Sequence, residues 1–329
     1  MDAQRIAFHQ FGDPQHVLRL ETKTVQPPLD GEVLVRMKAR PINPSDLLPI
    51  RGAYSHRTSL PAIPGFEGVG IVEEVGPSVS RDLIGKRVLP LRGEGTWQDY
   101  VKTSANLAVP IPDELDDYIA AQLYINPMTA WLACTEVLRL RPDDVLFVNA
   151  CGSSIGRLFA QLSNMIGFRL IAVTRNHAYT EELLQLGASH VINTAETDLR
   201  QTALELTNGL GAHAAIDSIG GADGTDLAFC LRPGGTFLTI GLLSGIPVDW
   251  AAVAKKAKAQ ARLFHLRHWN QQVSVQKWHE TFDQLIFLIT EGKLRLMKPA
   301  AHYDLSAVHE AIRIAESPTR NGGKVFLTS

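Results

Sequence analysis

The 329-residue sequence predicts an α/β protein that combines a doubly wound parallel sheet with a β-rich part. Three observations lead to this fold class. The N-terminal part carries short alternating apolar runs separated by Pro and Gly, which is typical of half-buried strands. Strand-like and helix-like runs then alternate, as they do in βαβ units. Residues 144–174 read as strand, small-residue turn, helix and strand, which is the first unit of such a sheet.

Composition excludes several classes of function. A net charge of −2 provides no basic field for nucleic acid, and no run is long and apolar enough to span a bilayer. The first residues have neither the apolar core of a signal peptide nor the Arg/Ser bias of a transit peptide. Cys134, Cys151 and Cys230 show no paired spacing, which is typical of a reducing compartment. We therefore expect a cytoplasmic protein without a nucleic-acid or membrane partner.

Apolar alternation predicts the strands of the N-terminal part, each bounded by turn residues such as Pro and Gly. These strands are expected at 33–39, 70–76, 86–90 and 95–101.

The alternating part is predicted to begin at about residue 122 and to continue through the middle of the chain. Its strands are expected at 144–148, 169–174, 190–193, 214–217 and 236–241. Its first helix is expected to end at Gly167, and further helices are expected at 180–186, 198–207 and 223–231. Beyond it, the sequence predicts helices at 275–291 and 306–316 and a last strand at 322–327.

The turn after the first strand of this part is made almost wholly of small residues. Small side chains allow a pyrophosphate to approach the backbone N–H groups at a helix N-terminus. Counted back from Gly156, the two earlier glycines of G-x-G-x-x-G are replaced by Cys151 and Ser153, so an ordinary strand–helix connection is the alternative. The candidate cofactor contacts in the turn are Ala150, Gly152, Ser153, Ser154, Ile155 and Gly156.

Arg175 stands where the second strand of the alternating part ends, and no carboxylate follows before Glu181. NAD-binding domains carry an acidic residue here for the ribose 2′-hydroxyl. A guanidinium would instead pair with a 2′-phosphate. The sequence therefore favours NADPH over NADH, with a solvated surface arginine as the alternative.

Several strings, in order, resemble the medium-chain dehydrogenase/reductase superfamily over nearly the whole chain. The segment 64–70 (PGFEGVG) resembles G-H-E-x-x-G, 217–221 (DSIGG) resembles D-x-x-G-G, and 322–325 (GGKV) resembles the final strand. The resemblance implies a GroES-like catalytic domain at 1–122 and 276–329, and a Rossmann dinucleotide-binding domain at 123–275.

Within the superfamily the sequence is most similar to trans-2-enoyl-thioester reductases of the mitochondrial type and to NADPH:quinone oxidoreductases. The strings that carry this are 42–46 (INPSD) with 51–54 (RGAY), 95–97 (GTW), 126–130 (NPMTA) and 149–156 (NACGSSIG). The resemblance implies a catalytic set of Tyr54, Asn43 and Thr129, in which Asn43 and Asp46 shape the loop of Tyr54. It implies cofactor contacts at Asn126, Thr129, Gly220 and Gly241, and a substrate pocket at Tyr54, Trp97 and Trp269. The run 263–269, which ends at Trp269, resembles the substrate-cavity strand of the family. Thr129 has an alternative interpretation as a helix-start residue, and Trp269 as a core or dimer residue.

The sequence predicts that no metal is bound. Zinc-dependent members of the superfamily use Cys and His ligands. Here Ile42-Asn43-Pro44 stands at the position of the zinc cysteine, and Phe66 replaces the histidine of G-H-E. His265 and His268 are only three apart, and a polar face or substrate rim explains them better than a metal site.

The predicted reaction is hydride transfer from NADPH to the β-carbon of an activated alkene, followed by protonation of the α-carbon. Hydrogen bonds can hold the enolate oxygen, so no Lewis acid is needed. Tyr54 would be the proton donor or the orienting hydroxyl, or alternatively an aromatic residue of a mobile loop. Two other functions remain open, an NADPH:quinone oxidoreductase and a non-catalytic NADPH-binding regulatory protein.

The expected partners are a small-molecule or thioester substrate, a carrier protein and a second copy of the chain. Lys255, Lys256, Lys258 and Arg262 form a basic cluster that could meet the phosphates or acidic helix of an acyl carrier. A solvated helix face is the alternative. The resemblance implies a homodimer joined through sheet edges, with 236–248 as the candidate edge.

Overall fold

The computed structural model describes residues 2–317 and 322–329. The chain forms two compact units. Unit 1 consists of Met1–Ile125, Ser274–Thr290 and Leu296–Ser329, and unit 2 consists of Asn126–Val273 and Glu291–Arg295.

The described residues contain strands of three to ten residues. In chain order they are β1 (Asp2–Phe8), β2 (Leu18–Thr24), β3 (Glu32–Pro41), β4 (Val69–Val75), β5 (Arg87–Pro90), β6 (Tyr100–Ser104), β7 (Ala108–Pro110), β8 (Val145–Val148), β9 (Arg169–Thr174), β10 (His190–Asn193), β11 (Ala212–Asp217), β12 (Leu231–Thr239), β13 (Gln260–Leu263), β14 (Pro299–Asp304) and β15 (Lys324–Thr328).

The α-helices lie between these strands and at their ends. In chain order they are α1 (Pro14–Val17), α2 (Pro44–Ile50), α3 (Asp117–Ala120), α4 (Ile125–Leu132), α5 (Ser154–Ile166), α6 (Thr180–Leu186), α7 (Leu199–Leu206), α8 (Gly221–Ala228), α9 (Trp250–Lys256), α10 (Leu266–Gln272), α11 (Val275–Thr290) and α12 (Val308–Glu316). Among the described residues, none of these helices combines the length and apolarity needed to cross a membrane.

Unit 2 is built on a parallel sheet with the order β10-β9-β8-β11-β12-β13. Counted along the chain this is 3-2-1-4-5-6, the order of dinucleotide-binding domains. The order reverses between β8 and β11, which pair directly through Leu146 and Ala214. Ligands of such sheets bind at the carboxyl ends of the strands at this reversal.

The core of unit 2 explains the short apolar runs of its strands. Phe147, Ile171, Ala215 and Phe237 come from four neighbouring strands and are all fully buried in one cluster. Helices on both faces of a parallel sheet bury the strands on both sides, which removes any polar alternation.

Unit 1 contains a mostly antiparallel sheet centred on β3, which pairs with β4, β6 and β15. The strands β1 and β2 form a separate two-stranded antiparallel sheet. The predicted class, a parallel sheet domain plus a β-rich domain, is therefore confirmed.

Two predictions about the last strands of the parallel sheet were wrong. The segment 236–248 is not an edge, because β12 pairs with both β11 and β13, and β13 is the edge strand. The segment 263–269 was expected to be a substrate-cavity strand, but only Leu263 is in β13. The helix α10 begins after His265, whose ring accepts the backbone N–H of Arg267 as a cap.

Candidate active site

A tight turn follows β8 at the point where the sheet order reverses. Ala150 adopts a left-handed φ of 49°. The hydroxyl of Ser153 caps α5 by accepting the backbone N–H of Gly156 at 3.2 Å. A Cβ on Gly156 would lie 2.2 Å from the carbonyl oxygen of Cys151. Only glycine fits at position 156. The last glycine of the motif, the one of the three that this chain has, is therefore required by packing.

Arg157 braces this turn, a role that was not predicted from the sequence. Its guanidinium donates to the carbonyl oxygen of Gly152 and forms a two-pronged ion pair with Glu182, each contact 2.7 Å long. Its guanidinium carbon lies 4.6 Å from the centre of the Tyr179 ring. A Cβ on Gly152 would lie 2.4 Å from that same ring. Arg157 and Glu182 are 25 residues apart, so no local pattern could reveal the pair.

The loops after β8 and β11 are joined by side-chain hydrogen bonds. Asn149 Nδ2 donates to Asp217 Oδ1 at 2.6 Å, and Asn149 Oδ1 accepts the backbone N–H of Ser218 at 2.8 Å. Asp217 also accepts the backbone N–H of Gly220 at 3.0 Å, and Gly220 has a left-handed φ of 76°. A Cβ on Gly241 would lie 3.0 Å from the carbonyl oxygen of Ser218. The structure thus brings the turn, Gly220 and Gly241 together at the carboxyl end of the sheet.

Arg175 is exposed directly after β9. The residues next to it in the chain have partners of their own. Thr174 donates its hydroxyl to the carbonyl oxygen of Asn176 at 2.9 Å, and His177 lies 2.8 Å from Glu196. Within residues 2–317 and 322–329, the guanidinium of Arg175 has no ion-pair partner. It is therefore accessible to an anionic ligand.

Asn126 and Thr129 lie one turn apart on α4, so their side chains share a helix face. Thr129 is half-buried, and its hydroxyl makes no hydrogen bond within the described part of the chain. The helix continues as a π-helical segment, Ala133–Val137, a distortion that is frequent at functional sites.

Trp269 is anchored to that π-helical segment. Its indole Nε1 donates to Glu136 Oε2 at 3.2 Å, across 133 residues of sequence. The ring is partly buried within unit 2, so this contact fixes its position there.

Tyr54 lies on the loop after α2, partly exposed. Gly52 permits the sharp turn before it, with a φ of 88°. Tyr54 precedes the 3₁₀ turn Ser55–Arg57, and its carbonyl oxygen accepts the Thr58 hydroxyl at 2.9 Å. The guanidinium carbon of Arg57 lies 3.9 Å from the centre of the Tyr54 ring, which is a cation–π contact.

Asn43 belongs to a group of four buried side chains in unit 1, here named the buried polar network: Asn43, Asp46, Glu67 and Lys324. Lys324 Nζ donates to Asn43 Oδ1, and Asn43 Nδ2 donates to Glu67 Oε1 at 2.7 Å. Asp46 accepts the backbone N–H of Asn43 at 2.7 Å and that of Phe66 at 3.1 Å. The network thus ties the start of α2 to the loop before β4 and to β15.

Burial dominates the electrostatics of this network. Desolvation raises the pKa of Asp46 to about 7, opposed by the backbone N–H of Asn43 and assisted by the nearby charge of Glu67. Desolvation also raises the pKa of Glu67, opposed by the backbone N–H of Ile125 and by the Lys324 ammonium. Glu67 and Lys324 stand in two separate strings, 64–70 and 322–325, so no local pattern of the sequence connects them.

Trp97 is placed in the core of unit 1, with no exposed surface. It packs in one cluster with residues such as Ile6, Phe8 and Ile50. Its assignment to a substrate pocket therefore gains no support from burial, because none of its surface is open to a ligand.

The turn after β8 fits a dinucleotide pyrophosphate. The first N–H groups of a helix have no partner inside the helix, and here they belong to Ser154 and Ile155 at the start of α5. A side chain at Gly152 has no room in this turn, because its Cβ would meet the Tyr179 ring, and the free guanidinium of Arg175 suits a ribose 2′-phosphate.

The residues at the expected zinc position do not fit a zinc ion. Asn43 supplies an amide, Phe66 a phenyl ring, and Glu67 a carboxylate whose two oxygens already accept hydrogen bonds. Zinc sites in proteins are built mainly from thiolate and imidazole ligands, with a carboxylate as one ligand in some catalytic sites. Among residues 2–317 and 322–329, no group of three or more His, Cys, Asp or Glu is arranged to hold a metal ion.

Two family models match the chain. Residues 29–113 match the alcohol dehydrogenase GroES-like domain, and residues 154–286 match the family described as zinc-binding dehydrogenase.

Named relatives match over nearly the whole chain. The mitochondrial enoyl-[acyl-carrier-protein] reductase of Xenopus tropicalis is 32% identical over an alignment of 329 residues, covering 96% of this chain and 93% of that protein. A Bacillus thuringiensis protein provisionally named NADPH:quinone reductase has a solved structure with 63% identity and a TM-score of 0.98, covering 100% of this chain and 99% of that one. Escherichia coli quinone oxidoreductase, solved in complex with NADPH, has 25% identity and a TM-score of 0.90, covering 99% of this chain and 100% of that one.

Proposed function

The chain belongs to the medium-chain dehydrogenase/reductase superfamily, and from that premise we propose that it is an NADPH-dependent, zinc-independent reductase of an activated carbon–carbon double bond. The proposed substrate is a 2-enoyl thioester of CoA or acyl carrier protein. The observation that carries the proposal is the alignment with an enoyl-[acyl-carrier-protein] reductase over 96% of the chain, combined with Tyr54 in the string 51–54 (RGAY), which resembles the catalytic loop of that group.

The proposed cofactor is NADPH. Its pyrophosphate would be held by the turn after β8 and its 2′-phosphate by Arg175. Asn126 and Thr129 would bind the nicotinamide end through their amide and hydroxyl groups. NADPH in the Escherichia coli quinone oxidoreductase complex supports this choice.

The reacting centre is proposed to depend on Tyr54. Bound NADPH supplies a hydride equivalent for the reduction. The phenol of Tyr54 can donate a hydrogen bond to a carbonyl oxygen on which negative charge develops, or pass its proton to the α-carbon. The stack of Arg57 on the ring limits the orientations that the hydroxyl can take.

An NADPH:quinone reductase is the second candidate. The relative from Bacillus thuringiensis favours it, since that protein is 63% identical. A quinone also accepts a hydride without a metal, so the two candidates differ only in the acceptor.

Turnover of crotonyl-CoA and of a small quinone, each with NADPH, separates the two candidates. Crotonyl-CoA reduction that is faster than quinone reduction supports the proposal. Fast quinone reduction with an inert enoyl thioester would reverse the order, and NADPH binding without turnover of either acceptor would favour a regulatory protein.

A homodimer joined at β13 is part of the proposal. All four residues of this edge strand are exposed. Exposed apolar side chains lie near it along the chain: Leu243, Ile246, Trp250 and Leu263. An open edge strand with exposed apolar side chains nearby is a pairing surface for another strand. Because proline has no backbone N–H, Ala261→Pro should disturb this pairing and yield a monomer in sedimentation analysis.

An acyl carrier would meet the basic cluster next to this edge. Lys255, Lys256 and Lys258 are exposed around the end of α9. Arg262 is exposed too, but it donates to the carbonyl oxygen of Val137 at 2.6 Å. We propose the three lysines as the carrier contact.

The cytoplasm is proposed as the compartment because Cys134, Cys151 and Cys230 are free thiols.

A further inference from the structure

We propose that the buried polar network of unit 1 is a positioning device that fixes the loop of Tyr54 and the start of α4 at Ile125. Asn43, Asp46, Glu67 and Lys324 are its positioning residues. The inference rests on the proposed function only in that Tyr54 is taken to act in the reaction.

The burial of the network is the first argument. Each of the four side chains is at most 2% exposed. Removing two carboxyl groups and an amine from water is costly, and apolar residues in such places are often equally stable or more stable. Stability alone is therefore a weak explanation for this set of side chains.

The direction of the hydrogen bonds is the second argument. The ammonium of Lys324 can only donate, and an ionised Glu67 can only accept. Asn43 lies between them, so its amide must turn its oxygen to Lys324 and its nitrogen to Glu67. The chain of bonds has one allowed orientation, which makes the geometry of the network specific.

The covalent path from the network to Tyr54 is short and well bonded. Asp46 holds the first turn of α2 to the backbone of Phe66. At the other end of α2, the backbone N–H of Arg51 donates to Leu47 at 3.1 Å and that of Ala53 donates to Leu48 at 3.1 Å. Tyr54 follows directly, so a shift of α2 moves the phenol, and small displacements of a reacting group are costly for rate.

Glu67 connects the same network to α4. Its Oε2 accepts the backbone N–H groups of Tyr124 at 3.1 Å and Ile125 at 2.7 Å. A carboxylate at a helix N-terminus stabilises the first turn. Asn126, the next residue, and Thr129 are the proposed nicotinamide contacts, so one carboxylate holds the start of the helix that bears them.

Exchanging the amide and the carboxylate between two positions tests the proposal. Asn43→Asp alone sets two carboxylates against each other, and Glu67→Gln alone sets two N–H₂ groups against each other. In the double variant the amide introduced at position 67 would donate to the carboxylate introduced at position 43, and that carboxylate would accept from Lys324. The oxygen of the introduced amide would accept from the backbone of Tyr124 and Ile125. The formal charge and the four hydrogen bonds that join positions 43, 67, 124, 125 and 324 are then the same in number as in the wild type.

We expect each single variant to lower kcat about tenfold or more, because either change displaces the phenol. The double variant should recover most of this loss. Thr103→Val is the matched control, since it removes another buried hydrogen bond of unit 1, from Thr103 to the Leu91 carbonyl at 2.7 Å. It should lower the melting temperature without changing kcat.

Deuterium exchange of the backbone amides at 48–58 supplies a readout that needs no turnover. It should speed up in both single variants and return to the wild-type rate in the double variant. Single variants that melt earlier yet keep wild-type kcat and exchange at 48–58 would overturn the proposal, as would a folded double variant without recovery. A wild-type protein that reduces no acceptor would instead refute the proposed function, and the exchange measurement would still decide on the network.

Discussion

Tyr54 and Arg57 are both partly exposed and lie together in the proposed reaction centre. The guanidinium of Arg57 stacks on the face of the Tyr54 ring, with its carbon 3.9 Å from the ring centre. A substitution that removes the hydroxyl of Tyr54 and keeps its ring should therefore change the rate of the reaction and preserve the packing of the loop.

Tyr54→Phe should lower kcat for the preferred acceptor by about 100-fold, the usual size of a lost proton-transfer group. The Kd for NADPH should stay at the wild-type value. Steady-state kinetics and a fluorescence titration measure the two quantities. Tyr303→Phe provides a matched exchange elsewhere in unit 1 and should leave kcat unchanged. An unaltered kcat in Tyr54→Phe would remove the phenol from the reaction.

Arg175 gives the second prediction at this scale. Its guanidinium is exposed after β9 and has no ion-pair partner within residues 2–317 and 322–329. Arg175→Ala should raise KM for NADPH about tenfold or more, the value of a lost charge-assisted hydrogen bond. KM for NADH should not change. Arg200→Ala, an exchange of another exposed arginine of unit 2, serves as the control. Equal effects on both cofactors would show that Arg175 does not recognise the 2′-phosphate.

At the scale of elements, the turn between β8 and α5 is fixed by packing more than by glycine count. Two glycine positions of the familiar motif are lost, yet Gly156 approaches Cys151 as the last glycine must. Arg157 compensates on the other side by holding the Gly152 carbonyl, Glu182 and the Tyr179 ring.

Gly152→Ala should weaken NADPH binding and lower the melting temperature, because the new Cβ would lie 2.4 Å from the Tyr179 ring. Adding Tyr179→Ala removes the obstacle and should restore the melting temperature toward that of Tyr179→Ala alone. Calorimetry and a cofactor titration follow both effects. Wild-type affinity in Gly152→Ala would mean that the turn tolerates a side chain and is not the cradle that we infer.

The elements that the sequence predicted well are those with a strong local signal. The strand at 169–174 and the helix at 180–186 match β9 and α6 residue for residue, because apolar runs bounded by glycine or polar residues depend on neighbours in sequence. The strand β13 was missed because all its residues are exposed, so it lacks any apolar alternation. The helix α10 was missed because its cap, His265, is not a usual capping residue.

The candidate site was predicted in part for the same reason. Asn149, Gly156 and Gly220 belong to local motifs and are found together at the sheet reversal. The buried polar network could not be predicted, since Asn43 pairs with Glu67 across 24 residues and with Lys324 across 281.

The segment Glu291–Arg295 belongs to unit 2 although the residues on either side of it belong to unit 1. Gln161 explains this, because its side chain accepts the N–H of Arg295 and donates to the carbonyl oxygen of Arg295.

At the scale of the whole molecule, the network makes the free energy of unfolding depend on pH. Burial raises the pKa of Asp46 from 3.8 to about 7. Between these values the folded chain binds a proton that the unfolded chain releases, so the contribution of Asp46 to stability falls as pH rises through this window.

The free energy of unfolding of the wild type should therefore decline from pH 4 to pH 7 more steeply than that of Asp46→Asn. The difference is at most about 1.4 kcal/mol per pH unit. Urea denaturation at four pH values measures both slopes. Asp46→Asn retains Glu67, whose pKa is raised as well, so the comparison isolates Asp46. Equal slopes would contradict a protonation of Asp46 in this range.

The central claim is that this chain moves a hydride from NADPH to an enoyl thioester. Mass spectrometry of the product formed from crotonyl-CoA and NADPH deuterated at the transferring position of the nicotinamide ring tests it most directly. The account predicts butyryl-CoA with one deuterium at the β-carbon, formed in step with NADPH oxidation. Recovery of unlabelled crotonyl-CoA while a quinone consumes the same NADPH, or the absence of any NADPH oxidation, would contradict it.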